Sequence, residues 1–359
     1  MRFTKPVLHG FGYALAPVIV PTEELEEQLL PVYRRLHIDA GQIERLTGIV
    51  ERRWWEPGYP VSEGAVVAAK RALNQAGVCA QDIEMLVYGA VCREHYEPAT
   101  ACHVAAGLAR AGHEISRTAA VYDVSNACLG VLTGILDVAS RIELGHIRAG
   151  MVVACETARE INELAIARLL DDPTLSRFSS SVATFTGGSG AVAVIMTDGS
   201  FGDADRRRLL GAAMESAPEH HRLCRWGVEP HPQATAPSWD PALRPFASTD
   251  SAAVLTHGVA LGESTWARFL ETMDWNAGEV DRTVCHQIGA AHRTMMLDKL
   301  GISPAQDFAA YEQLGNMGSV ALPFAAALAD ERDFLTEGQR VALLGIGSGL
   351  NCLMLGVQW

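Results

Sequence analysis

Cys128 stands where a thiol could act as a nucleophile. Around it the chain reads YDVSNACLGVLTGILDVASRIELG. Residues 119–124 are apolar and β-leaning, which predicts a buried strand, and Ser125, Asn126 and Ala127 are small or turn-prone. From Leu129 the apolar residues Leu132, Ile135, Leu136 and Ala139 follow helical spacing, and Gly145 closes that helix. Cys128 therefore falls at the first turn of a buried helix straight after a strand. Unpaired N–H groups and the helix dipole there favour an anion, which lowers a thiol pKa towards neutrality. A thiolate so placed suits acyl transfer, whereas most free cysteines are simply small buried hydrophobes.

The elements that position such a residue show as a weak internal repeat. NQAGVCAQDIEMLVYGAV near residue 75 finds an echo in NAGEVDRTVCHQI near residue 276. The Cys128 turn, its long apolar helix, a Gly loop and an apolar strand are matched by YEQLGNMGSVALPFAAALADERDFLTEGQRVALLGIG. TGGSGAVAVIMT likewise resembles GIGSGLNCLMLGV. Residues 1–199 and 200–359 thus read as two copies of one α/β unit, the first carrying the Cys and the second His and Asn. The helices beginning near Cys128 and Asn316 are apolar nearly all round, so they belong between two sheets. The expected architecture is a duplicated five-layer α/β/α/β/α fold with two mixed sheets around buried helices. Residues 199–256 break the pattern and read as loops that cap a site or reach a partner subunit.

The repeat pairs positions. Asn316 occupies the turn matching Cys128, and His286 ends the strand 283–285, so thiol, imidazole and carboxamide should converge near the pseudo-twofold axis. That set suits thioester chemistry: Cys takes an acyl group, while a His ring and an Asn NH₂ hold the oxyanion of a second thioester. The backbone N–H of Cys128 and one from Gly347–Ser348–Gly349 would hold the first oxyanion. Taken singly, each has a plainer role, His286 as a structural histidine and Asn316 as a helix cap. His292, two turns into the next helix, is expected to face solvent. The glycines at 345–349 lack G-x-G-x-x-G spacing and precede a strand, which excludes a dinucleotide loop.

The totals bound the function class. The 359 residues are 48% hydrophobic and 20% charged with net charge −13, ordinary for a soluble enzyme and adverse to nucleic acid. Arg206–Arg208 reads as a solvated loop. The eight cysteines are scattered without C-x-x-C, which argues against a disulfide framework or structural zinc. No signal peptide is seen at Met1, and the uncharged run 178–197 carries three glycines, so it reads as loop and strand rather than a membrane span. A cytoplasmic protein with reduced thiols is expected.

The order Cys128, His286, Asn316, Gly347-Ser348-Gly349 resembles the thiolase superfamily. Within it the chain is similar to the ketoacyl-ACP synthase III branch, through Thr47-Gly48-Ile49 with Arg52-Arg53, Ala127-Cys128-Leu129-Gly130, His286-Gln287 and Gly315-Asn316. The resemblance implies a homodimer, a Cys nucleophile and Claisen condensation of acyl groups supplied by acyl-CoA or acyl carrier protein (ACP), with no metal or redox cofactor. Synthases that start from acetyl-CoA carry Trp and Arg where Gln42 and Leu46 stand here. Tyr96-Glu97-Pro98-Ala99-Thr100 and Leu223-Cys224-Arg225 look closer to the OleA type of acyl-CoA condensing enzyme. That likeness implies that Glu97 reaches the partner subunit's site as a general base, and that Cys128 and Gly349 N–H groups form the oxyanion hole. Arg52, Arg53 and Arg225 are the candidate substrate-binding cations. The expected activity is non-decarboxylative condensation of two acyl-CoAs. The alternatives are decarboxylative synthesis with malonyl-ACP, or thioester hydrolysis. The alanine-rich helix 320–329 permits an acyl tunnel.

Overall fold

The computed structural model describes residues 1–202, 206–230 and 243–359. The first half runs β1 (Val7–Leu15), β2 (Val18–Pro21), α1 (Thr22–Leu36), α2 (Gln42–Thr47), β3 (Glu51–Trp54), α3 (Val61–Ala76), β4 (Met85–Tyr88), α4 (Thr100–Arg110) and β5 (Ala120–Asp123). It continues through α5 (Gly130–Glu143), β6 (Ala149–Glu156), α6 (Arg159–Asp171), α7 (Leu175–Ser181) and β7 (Gly190–Thr197). The second half holds β8 (Arg208–Ser216), β9 (Cys224–Pro230), β10 (Leu243–Thr249), α8 (Ser251–Met273), β11 (Arg282–Cys285) and α9 (Ala290–Leu300). It ends with α10 (Tyr311–Leu314), α11 (Ala321–Glu331), β12 (Arg340–Gly347) and β13 (Asn351–Gln358).

Strand order makes the duplication explicit. The series β5-β4-β6-β7-β1 is followed by β8-β13-β12-β11, so β1, β7, β6 and β4 find counterparts in β8, β13, β12 and β11. The counterpart of β5 has shrunk to a single parallel bridge, Thr283 to Asp307. The two sheets meet edge to edge at the Val7–Arg208 pair, giving a continuous nine-stranded order. Helices α3 and α4 cover the outer face of the first sheet, and α8 with α9 covers the second. Between the sheets lie α5 and α11; α11 packs on β1 and β7 from one side and on β11 and β12 from the other. Residues 321–329 of α11 are all buried, as an all-round apolar helix must be. A middle layer of small residues lets the sheets approach: a Cβ added at Gly345 of β12 would lie 2.6 Å from Leu129 and 2.7 Å from Leu132.

Three expectations need correction. Residues 199–256 are more than loops: they hold β8, the antiparallel β9–β10 ribbon and the start of α8, while residues 203–205 and 231–242 lie outside the described part. The Arg206–Arg208 run is no solvated loop at its centre. Arg207 is buried, donates to Asp330 at 2.6 Å and lies over the rings of Phe11 and Trp359, because β8 starts where the two sheets join. Finally, β5 is half-exposed along its length, since it is the edge strand of the sheet.

Gly130 fixes where the turn bearing Cys128 can sit. Its Cα faces the backbone of Gly89, the residue after β4, and a Cβ there would stand 2.2 Å from the Gly89 carbonyl oxygen. Substituting Gly130→Ala should cost about 1–3 kcal/mol through forced backbone displacement, read as a lower denaturation midpoint. An unchanged midpoint would contradict this close approach.

Candidate active site

Cys128 is the middle residue of a 3-10 turn, Ala127–Leu129, between β5 and α5. Ala127 has a left-handed φ of 46°, which bends the chain sharply before the cysteine. Asn126 pins the bend: it donates to Thr133 of α5 at 2.9 Å and accepts from Asn351 of β13 at 2.9 Å. The turn is thus tied to both halves of the chain. Its equivalent in the second half is the 3-10 turn Gly318–Val320, so position for position Cys128 falls opposite Ser319, and Asn316 lies just upstream.

Two cavities meet at Cys128. A narrow arm of about 200 Å³ is lined by Leu46, Thr47, Val254, His286, Ile288 and His292, among others. A wider arm of about 700 Å³ runs past Glu156, Ile161, Arg225, Trp226, Phe246 and Met317. Cys128, Ala183, Thr186, Cys224, Thr249, Asn316 and Ser348 line both. The buried helix α11 lines neither of these two arms. The walls of the wider arm come instead from the start of α6, the segment after α7 and the β9–β10 ribbon.

The electrostatics differ from the expectation of a thiolate. Burial pushes the Cys128 thiol up to about 12, with Cys224 and Glu156 adding to it, while the N–H groups of Cys128 and Ser348 pull the other way. Desolvation outweighs the helix terminus here. Ser348, not Gly349, presents its N–H to the sulfur and lines the cavities; the Cβ direction of Gly349 points at the Asn351 side chain.

His286 follows β11, and its N–H donates to the Leu344 carbonyl at 2.9 Å. The next residue, Gln287, holds the loop rigid by donating to Cys285 and Phe308 carbonyls and accepting from Ala310 and Tyr311. The His286 ring is buried with neither nitrogen bonded among the described residues. Burial, reinforced by His292, lowers its pKa to about 3, so it is neutral at physiological pH. Asn316 accepts from Gly318 N–H at 3.0 Å through Oδ1, which commits the carbonyl end of its amide and leaves the NH₂ donors for the cavity. His292 corrects another expectation: it is 8% exposed, because α9 packs against α2 and α8, and it lines the narrow arm.

The remaining candidates separate. Arg52 is wholly buried, donating to the Phe185 and Val20 carbonyls, and lines neither arm. Arg53 is half-buried on β3 and lines neither arm. Arg225 alone reaches the wider arm, exposed, with its guanidinium 5.4 Å from the Phe246 ring centre. Glu97 is exposed on the loop before α4 and lines neither arm of this chain's cavity. Sequence reasoning missed Glu156, a buried carboxylate that accepts from Val91, Cys92 and Ser319 and so links the two halves. The available signal was its place at the end of β6, the strand that pairs in the repeat with β12 and its Gly loop. Among the described residues no cluster of His, Cys, Asp or Glu could hold a metal ion.

Comparison with known proteins places this geometry. Residues 270–359 match the model of the 3-oxoacyl-[acyl-carrier-protein] synthase III C-terminal family. The acyl-CoA:acyl-CoA alkyltransferase of Shewanella oneidensis is 47% identical over the whole of both chains. The β-ketoacyl-[acyl-carrier-protein] synthase III 5 of Streptomyces coelicolor is more distant, 29% identical over 98% of this chain and 97% of its own. A solved structure of Xanthomonas campestris OleA with bound lauric acid and lauroyl-CoA superposes with a TM-score of 0.90 at 31% identity, covering 99% of this chain and 100% of the other. The chain belongs to the acyl-CoA:acyl-CoA alkyltransferase family, the OleA type of thiolase-fold condensing enzyme.

Proposed function

We propose that the protein joins two acyl-CoA molecules by non-decarboxylative Claisen condensation, with Cys128 as the nucleophile. The observation that carries the reading is the branch at Cys128. One half-buried cysteine faces two arms, and His286 and the Asn316 amide stand beside it. The names of the alkyltransferase relative and of the lauroyl-CoA complex support acyl-CoA as carrier.

The sulfur of Cys128 attacks the first thioester carbonyl, and the thiol proton leaves with CoA–SH. The carbonyl oxygen of that acyl group is held by the N–H groups of Cys128 and Ser348, which already face the sulfur. The second acyl-CoA loses an α-proton to a carboxylate base. Neutral His286 and the Asn316 amide each have an N–H donor to hold the enolate oxygen that results. Attack of that carbanion on the acyl-Cys128 carbonyl forms the C–C bond and expels the Cys128 thiolate, which regains a proton. Arg225, at the wall of the wider arm, is the one proposed substrate-binding cation placed to meet a substrate group.

Glu97 is the proposed base, supplied by a second copy of the chain in a homodimer. Support comes from its exposure on a loop outside its own cavity and from the half-exposed edge strand β5, which leaves backbone groups open to pairing. The same position of Glu97 is what favours the second reading, decarboxylative condensation with malonyl-ACP, which needs no such base. A cytoplasmic location is supported by the eight cysteines, all free; among the described residues no helix is long and apolar enough to cross a membrane.

With myristoyl-CoA as sole substrate, Glu97→Gln should lower β-ketoacyl product formation about 100-fold or more while Cys128 still becomes acylated. Full activity of that variant, or a requirement for malonyl-ACP, would favour the decarboxylative route. Replacing His286→Ala should cost about 100-fold in condensation, measured by product appearance; a loss confined to the acylation step would move His286 to a different role. Alkylation of Cys128 in the free protein should accelerate about tenfold per pH unit from pH 7 to 10, since thiolate grows with pH below a raised pKa. A plateau near pH 7 would show a thiolate already formed.

A further inference from the structure

The loop that carries Glu97 leaves β4, runs to α4, and is held at both stems. At the near stem Val91 and Cys92 donate their N–H groups to Glu156 at 2.9 and 3.0 Å, and Glu94 accepts from Ser62 N–H of α3 at 2.7 Å. The far stem converges on Asp123, the last residue of β5, whose side chain is 5% exposed. Thr100 and Ala101 N–H groups donate to its two oxygens at 2.9 and 2.8 Å, and Arg93 Nη1 donates at 3.1 Å. Arg93 precedes the tip of the loop, while Thr100 and Ala101 follow it, so one carboxylate closes the loop. Between the stems His95, Tyr96, Glu97 and Pro98 are all exposed, Tyr96 to 79%.

We infer that Asp123 is a positioning residue that aims Glu97 at the active site of a second copy of the chain, a role that rests on the homodimeric Glu97 reading given above. Negative charge is favoured at the first turn of α4, and hydrogen bonds to a carboxylate are stronger than neutral ones. An amide cannot replace it. Both oxygens of Asp123 accept, so an NH₂ in either place would face an N–H. The position matters because a general base must come within hydrogen-bond reach of the proton it removes. Asp123 lies on the strand that leads to its own chain's Cys128, and Tyr88 of β4 pairs with it where the loop departs. The loop it closes nevertheless serves the other chain's thiol. Loss of the Asp123 carboxylate therefore acts in trans, on the other chain's site and not on its own.

The test uses heterodimers of two differently tagged full chains, one carrying Cys128→Ala, so that each dimer has one working nucleophile. With Asp123→Asn on the Cys128→Ala chain, β-ketoacyl formation from myristoyl-CoA should fall about tenfold or more in kcat, the scale of a misplaced catalytic group. With Asp123→Asn on the chain that keeps Cys128, turnover should match the heterodimer without it. The rate of Cys128 acylation should be the same in both. Arg93→Gln, a milder loosening at an exposed partner, should repeat the pattern with a smaller loss. Equal losses in both placements, a loss only on the chain that keeps Cys128, or no loss in either would overturn the role of Asp123. Glu97→Gln in the same two placements separates the two readings. No asymmetry with Glu97→Gln would overturn the Glu97 reading itself, whereas asymmetry with Glu97→Gln and none with Asp123→Asn would overturn the Asp123 inference alone.

Discussion

The Cys128 sulfur sits against two backbone N–H groups, its own from the first half of the chain and that of Ser348 from the second. Everything else in the site depends on keeping those two halves in register. Gly130 allows the turn to press against Gly89, Asn126 ties it to α5 and β13, and Glu156 ties β6 to the turn before α11. These are short, directional contacts between backbone and small side chains, so sub-ångström shifts are penalised by sterics rather than by weak dispersion.

The same burial that fixes the geometry sets the charges. Thiol and imidazoles are both held neutral by desolvation: the thiol because its pKa is raised, His286 and His292 because theirs are lowered. Glu156, a buried carboxylate that lines the wider arm, accepts from three N–H groups and a hydroxyl. The nucleophile and both imidazoles are thus uncharged at rest, beside one buried carboxylate.

How far the sequence reveals this depends on the range of the interactions involved. Cys128 was legible because strand, turn and helix are contiguous around it, and the duplicated architecture because apolar periodicity is local. His286 was legible as the residue following a short strand. His292 was misread because its burial comes from α2 and α8, elements distant in sequence that pack over α9. Arg52 looked like an anion ligand by type, but its depth follows from the β2–β3 ribbon lying under Phe185, which no local pattern reports. β8 was hidden by the arginines at its start, one of which is buried by the junction of the two sheets. The walls of the wider arm, built from α6, the segment after α7 and β9–β10, likewise exist only in three dimensions.

The central claim is that Cys128 carries the acyl group. Intact-protein and peptide mass spectrometry after brief incubation with myristoyl-CoA tests it most directly. The account predicts one myristoyl mass added per chain, mapped to the peptide containing Cys128 and missing in Cys128→Ala. No adduct, or an adduct on another of the eight cysteines that survives Cys128→Ala, would contradict it.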